Sequence, residues 1–295
     1  ARVFINAPAL LQDEITRLLA RAGSHLGRVR LYDHPSDDVW CRDHGPIFLR
    51  HKGTGLLALT DWVFNGWGGK QLPHDADNKI PGYISAALGV PRFSLPSVLE
   101  GGSIEVNAAG QCLTTAAVML NPNRAPGASE EAIEKMLIEG LGIEEVLWLD
   151  EGIDGDDTDG HIDNFARFYH NDGILVSTCE NTIDPNYVVC NENIERLRGM
   201  RTRKGGRFEL VGLPLPNPMF DGERRLAASY ANFLILNDAV IVPSYDQPKN
   251  DRRALGIIAD CFPEREVIPL RCTDLVHEGG SIHCITQQQP RATEY

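Results

Sequence analysis

The sequence predicts an α/β fold in which one supersecondary unit is repeated along the chain, and three observations predict it. Three amphipathic segments are each followed within a few residues by a short β-branched run. A polar cluster, a strand, a tight turn and a second strand recur five times, the last copy being short. The copies are spaced by roughly 60 residues, which indicates one unit repeated about an axis. The alternative is an α+β protein whose hairpins resemble each other by chance.

The helices are predicted from apolar residues at helical spacing. These segments cover residues 9–23, 128–142 and 250–262, and they precede the predicted strands "RVRLYD", "EEVLWLD" and "REVIPLR". The second segment has the clearest boundaries, because Ser129 followed by two glutamates is an N-cap signal and a glycine ends it. Each helix and its following strand form one helix-then-strand unit.

The strand pairs are predicted from turns such as "HKGTG", "NAAGQ" and "HNDG" between apolar runs. A polar residue marks the beginning of each of the five copies. These markers are Asp43, Glu100, His161, Asn232 and Cys284. If the copies surround an axis, the five markers meet in space, and we expect them to form a site suited to cysteine chemistry.

Composition limits the classes of partner. The 295 residues are 42% hydrophobic, which supplies a sizeable core, and the formal net charge is −13. Such an acidic surface argues against nucleic acid and favours a cationic ligand. No apolar run predicts a membrane helix and no signal peptide is recognisable, so a cytoplasmic location is the default expectation. Whether the chain forms a homo-oligomer stays open.

The candidate nucleophile is Cys284, which the sequence places at the end of a strand rather than inside a packed helix. Seven cysteines without a C-x-x-C pair argue against disulfides or a zinc ribbon, and a purely structural role is the alternative for any one of them. His161 and Asp163 alternate with apolar residues, so we expect both on one face of a strand, as a general acid/base and a cation-binding carboxylate.

Two further carboxylates and one aromatic residue are candidates for binding a cation. Asp43 lies three residues after Trp40, which suggests a carboxylate beside an indole face, and Glu100 begins the first of two "EGGSI" segments. Each carboxylate could equally be an ordinary turn residue. The acidic run before His161 does not fit a calcium loop, because Gly155 and Ala166 would occupy its first and twelfth positions. No H-E-x-x-H or nucleotide-binding motif is present, so neither a metal nor an organic cofactor is expected.

Six segments together resemble a known family. They are "VWCRDHGPIF", "DWVFNGWGGK", "VLEGGSIEVN", "DTDGHIDNFARF", "SYANFLILN" and "GGSIHCITQQQP". In this order they are similar to the agmatine deiminase branch of the porphyromonas-type peptidylarginine deiminase family, from about residue 30 to 290. The resemblance implies a pentein fold, a five-bladed α/β propeller of ββαβ units. It also implies a single domain over residues 1–295, with a family-typical N-terminal segment missing.

The resemblance implies roles for the candidate residues. Cys284 matches the nucleophile and His161 the general acid/base, while Asp43 and Asp163 match the carboxylates that hold the guanidinium group. Glu100 matches a further site carboxylate, Trp40 matches the aromatic wall, and Asn232 is kept as a substrate-binding candidate because it marks the fourth copy.

The activity that the resemblance implies is hydrolysis of agmatine to N-carbamoylputrescine and ammonia, within putrescine biosynthesis and without a cofactor. The alternatives are a peptidylarginine deiminase and a guanidine-binding homologue without turnover. Glu278, Ser281 and His44 stand where the family commonly has Gly, Asn and Thr, so the part of the substrate beyond the guanidinium group stays unassigned.

Overall fold

A computed structural model describes residues 1–291, so the last four residues of the predicted domain lie outside the described part. The helices are α1 (Ala9–Arg21), α2 (Cys41–His44), α3 (Gly66–Gly69), α4 (Ile80–Leu88), α5 (Ala116–Met119), α6 (Glu130–Leu141), α7 (Asn186–Gly199), α8 (Pro248–Cys261) and α9 (Thr273–His277). The strands are β1 (Val3–Asn6), β2 (Val29–Tyr32), β3 (Ile47–Arg50), β4 (Leu57–Val63), β5 (Arg92–Val98), β6 (Glu105–Val106), β7 (Gln111–Thr115), β8 (Glu145–Leu149), β9 (Ala166–His170), β10 (Gly173–Thr178), β11 (Glu209–Pro214), β12 (Phe220–Asp221), β13 (Arg224–Arg225), β14 (Leu234–Ile235), β15 (Ala239–Ser244) and β16 (Glu266–Arg271).

Four ββαβ units occupy most of the described chain. In each unit two antiparallel strands are followed by a helix and a third strand, which pairs in parallel with the second strand. The units are β3–β4–α4–β5, β6–β7–α6–β8, β9–β10–α7–β11 and β14–β15–α8–β16. A shorter β1–α1–β2 unit, with its two strands parallel, precedes them. The repeated order of elements that the sequence predicts is therefore present in a mixed α/β protein.

The middle strand of each sheet lies in the core. All five residues of β7 are buried, because helix α6 covers one face of its sheet and a neighbouring unit covers the other. Ile133 and Leu137 of α6 point inward, and a methyl group on Gly140 would lie 2.5 Å from the ring of Trp62. This close packing fixes the sheet of β6, β7 and β8 relative to that of β3, β4 and β5, and therefore fixes the residues that precede β6.

The predicted helices and hairpins are confirmed. The sequence did not predict helices α4 and α7 or the strands that follow them, β5 and β11. Two local predictions are wrong. His161 and Asp163 are not on a strand, because Ile162–Asn164 form a single 3₁₀ turn before β9. The fifth copy contains no described strand, because the carbonyl of His283 accepts from the guanidinium of Arg42 and that of Cys284 accepts from the Arg42 amide, instead of joining a ladder. Within residues 1–291, no helix is both long and apolar enough to cross a membrane.

Candidate active site

The predicted site residues come together at the beginnings of the ββαβ units. We call the short stretch before the first strand of a unit its head segment, and the four head segments are residues 40–46, 99–104, 160–165 and 229–233. They hold Trp40 and Asp43, Glu100, His161 and Asp163, and Asn232, respectively. Cys284 joins them from the C-terminal segment 278–286, and all seven of these candidate side chains are buried.

Asp43 is held by donors from two other segments. Its Oδ1 accepts a hydrogen bond of 2.9 Å from the amide of Gly102, and its Oδ2 accepts one of 2.9 Å from the indole Nε1 of Trp67. Because both donors are buried and themselves fixed, the carboxylate plane of Asp43 has one orientation. His161 Nδ1 lies 3.7 Å from Asp43 Oδ1, so the same carboxylate faces the candidate acid/base.

His161 lies between two carboxylates. Its Nδ1 faces Asp43 and its Nε2 lies 3.9 Å from Oε2 of Glu100, too far for a hydrogen bond. Burial disfavours the charged imidazole, but Asp43 and Glu100 outweigh that effect and raise the pKa of His161 to about 10. Nε2 has no hydrogen-bond partner among the described residues, so this nitrogen can reach a ligand.

Glu100 forms a buried ion pair with Arg124. The guanidinium Nε of Arg124 donates a 2.9 Å hydrogen bond to Oε1 of Glu100, and both side chains are buried. Burial would raise the pKa of Glu100, but His161 and Arg124 lower it below its ordinary value. Arg124 is in turn bound by Asp159 and by the carbonyl of Thr158, so Glu100 is anchored to the acidic loop that precedes His161.

Cys284 contacts Asn232. The side-chain Nδ2 of Asn232 lies 3.2 Å from the sulfur, and its Oδ1 accepts a 3.0 Å hydrogen bond from the amide of His283. Burial, followed by the charges of Asp163 and Asp43, raises the pKa of the Cys284 thiol well above its ordinary value. The thiol is therefore protonated near neutral pH until a nearby positive charge offsets the two carboxylates.

Asp163 is the most enclosed of the carboxylates. Its Oδ2 lies 2.7 Å from Nδ1 of His283, whereas its Oδ1 has no hydrogen-bond partner among the described residues. Burial raises the pKa of Asp163 to about 7, with His161 opposing the rise and Asp43 adding to it. One oxygen of Asp163 is thus free to accept a hydrogen bond from a ligand.

Trp40 and Gly280 border the sulfur. Trp40, Phe64, Trp67 and Cys284 form one buried cluster. A methyl group on Gly280 would lie 2.6 Å from Cζ3 of Trp40 and 3.1 Å from Sγ of Cys284. The indole face and the bare backbone of Gly280 therefore form walls beside the nucleophile candidate.

Gly102 has the same position in the first "EGGSI" as Gly280 has in the second, and it lies among the other candidate residues. A methyl group on Gly102 would lie 2.6 Å from His161 Nδ1, 2.9 Å from Asp43 Oδ1 and 3.2 Å from Asp163 Oδ2. The second glycine of each repeated segment thus lets side chains of the site pack closely against the backbone. The sequence indicated a bend for these glycines but not this function.

We expect Gly102→Ala to lower kcat/KM on the substrate by about 10²-fold, because the added methyl group displaces His161, Asp43 and Asp163 from their contacts. Gly256→Ala is the matched control, since a methyl group there meets nothing within 4 Å. Steady-state kinetics on both variants, with a melting curve for each, measures the effect. Wild-type kinetics in a folded Gly102→Ala variant would show that the site does not depend on the absence of a side chain at position 102.

Four buried residues at the site were not assigned from the sequence. They are Trp67, which holds Asp43; Arg124, which holds Glu100; His283, which contacts Asp163; and Arg167, which contacts His283. Trp67, Arg167 and His283 lie within the quoted motifs and Arg124 lies outside them, and the partners of all four are 24 to 120 residues away in sequence. Residue type and spacing alone did not separate them from core residues.

Comparison with known proteins identifies one family over almost the whole chain. The profile described as Porphyromonas-type peptidyl-arginine deiminase matches residues 2–290. A protein named agmatine deiminase from Ectopseudomonas mendocina is 38% identical over 294 residues, covering 92% of this chain and 79% of that protein.

Solved structures agree with the sequence comparison. The crystal structure of a protein described as a putative arginine deiminase from Porphyromonas gingivalis has a TM-score of 0.90 at 38% identity, covering 98% of this chain and 85% of that one. An agmatine deiminase from C. jejuni, a cysteine-to-serine variant with substrate bound, has a TM-score of 0.89 at 31% identity, covering 99% of this chain and 84% of that one.

Proposed function

The chain belongs to the Porphyromonas-type peptidyl-arginine deiminase family and is a hydrolase of guanidino groups, and we propose that it converts agmatine to N-carbamoylputrescine and ammonia. The observation that carries this proposal is the buried cluster of one thiol, one imidazole and three carboxylates, drawn from three head segments and the C-terminal segment. Arg124 pairs with Glu100. In the described part of the chain, the ion-pair partners of Asp43 and Asp163 within 4 Å are imidazoles, and buried carboxylates are unfavourable unless a cation offsets them. A guanidinium group is a cation of the right shape.

Asp43 and Asp163 hold the guanidinium group in this proposal. Carboxylates bind a planar guanidinium through paired, charge-assisted hydrogen bonds, which orient the ligand as well as neutralise it. The free Oδ1 of Asp163 and the fixed plane of Asp43 suit this role. Trp40 supplies an aromatic wall beside Cys284, and Asn232 contacts the sulfur, so it orients the nucleophile rather than only binding substrate.

The first half of the reaction forms a covalent intermediate. The bound cation offsets the negative charges of Asp43 and Asp163, which lowers the pKa of the Cys284 thiol, so the thiol gives its proton to solvent and becomes a thiolate. The sulfur then attacks the guanidinium carbon and forms a C–S bond. As a C–N bond breaks, His161 gives its proton to the departing nitrogen, which leaves as ammonia.

The second half releases the product. His161, now neutral, takes a proton from a water molecule that attacks the carbon of the amidino-cysteine. The C–S bond breaks and the sulfur leaves as a thiolate. The remaining proton of the attacking water passes to this thiolate, which restores the thiol, and the oxygen becomes the carbonyl of the ureido product. Glu100 stabilises the charged form of His161 in both halves because its carboxylate faces the imidazole Nε2.

We further propose that the four ββαβ units and the β1–α1–β2 unit are the five blades of a pentein propeller. Convergence of the four head segments on one site supports an arrangement about a common axis. The C-terminal segment supplies the fifth position around the axis in this arrangement, since it brings Cys284 beside the first and fourth head segments.

Agmatine, rather than an arginine residue within a peptide, is the proposed substrate because the reacting groups are enclosed. Cys284 is 8% exposed, and the side chains of His161, Asp43 and Asp163 are each less exposed than that. A free, slender guanidine can enter such a site more readily than a peptide backbone. We expect ammonia release from agmatine to exceed that from free arginine and from a blocked arginyl peptide, measured side by side.

The peptide arm of that assay tests the alternative directly. Faster turnover of the blocked arginyl peptide would assign the chain as a peptidylarginine deiminase. Absence of ammonia release from all three compounds, with the protein folded, would contradict the proposed agmatine reaction and the peptidylarginine alternative together.

A further inference from the structure

His283 precedes the nucleophile candidate in sequence but its side chain points to Asp163. The imidazole Nδ1 lies 2.7 Å from Oδ2 of Asp163, and the imidazole Nε2 lies 3.2 Å from Nη2 of Arg167. All three side chains are buried. The ring therefore bridges a buried carboxylate and a buried guanidinium.

The contact with Arg167 fixes which ring nitrogen of His283 carries the proton. A guanidinium group only donates hydrogen bonds, so Nε2 must present its lone pair to Arg167. The proton of the neutral ring is then on Nδ1, and it is donated to the carboxylate of Asp163. A doubly protonated ring would direct an N–H at the positive charge of Arg167, so this neighbour also excludes the charged form.

Arg167 is anchored on every side. Its Nε donates to Glu105 at 2.8 Å, and its Nη1 donates to the carbonyls of Ala231 at 3.0 Å and Phe233 at 2.8 Å. Its guanidinium also lies 4.7 Å above the ring of Phe233. Groups from two other ββαβ units thus hold Arg167 in contact with His283.

We propose that His283 and Arg167 are positioning residues that commit Oδ2 of Asp163 to a hydrogen bond within the protein and leave its Oδ1 for the substrate guanidinium. The proposal rests on the deiminase function proposed above. Neither residue touches the reacting atoms, so both act through Asp163. The amide of His283 also donates to Asn232, whose Nδ2 contacts Cys284, so the same residue orients the nucleophile.

The test compares His283→Leu, which removes the donor, with His283→Asn, whose amide nitrogen can occupy the place of Nδ1. We expect His283→Leu to raise KM for agmatine about 10- to 100-fold, which is the loss expected for a hydrogen bond to a charged group, with a smaller change in kcat. His283→Asn should restore KM close to the wild-type value. Melting curves of both variants establish that each is folded.

The pH profile provides a readout that a purely structural role would not move. The charged groups that face Asp163 are His161, Asp43, Arg167 and Arg42. The donor on His283 favours the carboxylate form of Asp163, so its removal raises the pKa of this group further above its ordinary value. The acidic limb of kcat/KM should therefore move to higher pH in His283→Leu and stay in place in His283→Asn.

The outcomes separate this inference from the proposed function. If wild-type protein releases no ammonia from agmatine, the proposed function is wrong. The positioning role is then tested by binding of the guanidinium ion, measured by tryptophan fluorescence, and weaker binding to His283→Leu than to His283→Asn supports it. If the wild-type protein is active but the two variants behave alike, the hydrogen bond to Asp163 is not what His283 contributes, and the inference is overturned. An unchanged KM and pH profile in folded His283→Leu overturns it as well.

Discussion

Cys284→Ser should lower turnover of agmatine by at least about four orders of magnitude while leaving binding of agmatine intact. The serine oxygen fits the same space, but it is a far weaker nucleophile than a thiolate. The binding groups are untouched, because Asp43 and Asp163 are held by Gly102, Trp67 and His283 rather than by the sulfur. Ammonia release and isothermal calorimetry with agmatine measure the two effects separately.

A second free cysteine supplies the control for this prediction. Cys261, at the end of α8, is partly exposed and lies outside the site, so Cys261→Ser should keep wild-type turnover. Acid quench of the wild-type protein during turnover, followed by mass spectrometry, should find the amidino adduct on the peptide containing Cys284. Appreciable turnover by Cys284→Ser, or an adduct on another peptide, would remove Cys284 as the nucleophile.

Three of the candidate site residues could be predicted from the sequence because each begins a copy of one pattern. Asp43, Glu100 and His161 precede short strands at similar spacing, and in the structure these positions meet. Asp163 was also predicted as a site residue, but the secondary structure on which that prediction depended is wrong. The sequence placed it with His161 on one face of a strand, whereas a 3₁₀ turn directs both side chains toward the space above Gly102.

The helices that the sequence did not indicate have physical reasons to be inconspicuous. Helix α4 has a proline and a glycine in its first turn, which weakens its helical pattern although proline is accommodated there. Helix α7 buries two asparagines, Asn186 and Asn193, which accept hydrogen bonds from the amides of Asp154 and Asp150. Buried polar residues break the apolar spacing on which helix prediction depends.

The residues that hold the candidate site residues in place could not be predicted from the sequence, because their contacts are with residues far away along the chain. Arg124 lies in a loop without any marker, and only the folded chain brings its guanidinium to Glu100. His283 and Arg167 are 116 residues apart, so their contact is a product of the repeated architecture. A sequence can identify which residue types do the chemistry, but the groups that orient them depend on three-dimensional packing.

His161→Gln should lower kcat on agmatine by about 10²- to 10⁴-fold, which is the usual contribution of a general acid/base. Glutamine has a similar size and can donate a hydrogen bond, but it can neither protonate the departing nitrogen nor deprotonate the attacking water. His25→Gln, at an exposed position, is the matched control and should keep wild-type kinetics. A His161→Gln variant with wild-type kcat would assign the proton transfers to another group.

The same substitution should change how stability depends on pH, and the direction follows from the charges around His161. The pKa of His161 is raised from 6.5 to about 10, because Asp43 and Glu100 outweigh the opposing effect of burial. Folding therefore gains from the charged imidazole fully below about pH 6.5, and this gain is lost as the pH rises toward 10. The melting temperature of His161→Gln should fall below that of the wild type near neutral pH, and the gap should close toward pH 10. If the difference in melting temperature between the two proteins does not depend on pH, His161 stabilises the site by packing rather than by its charge. Such a result would contradict an electrostatic interaction of this imidazole with the two carboxylates.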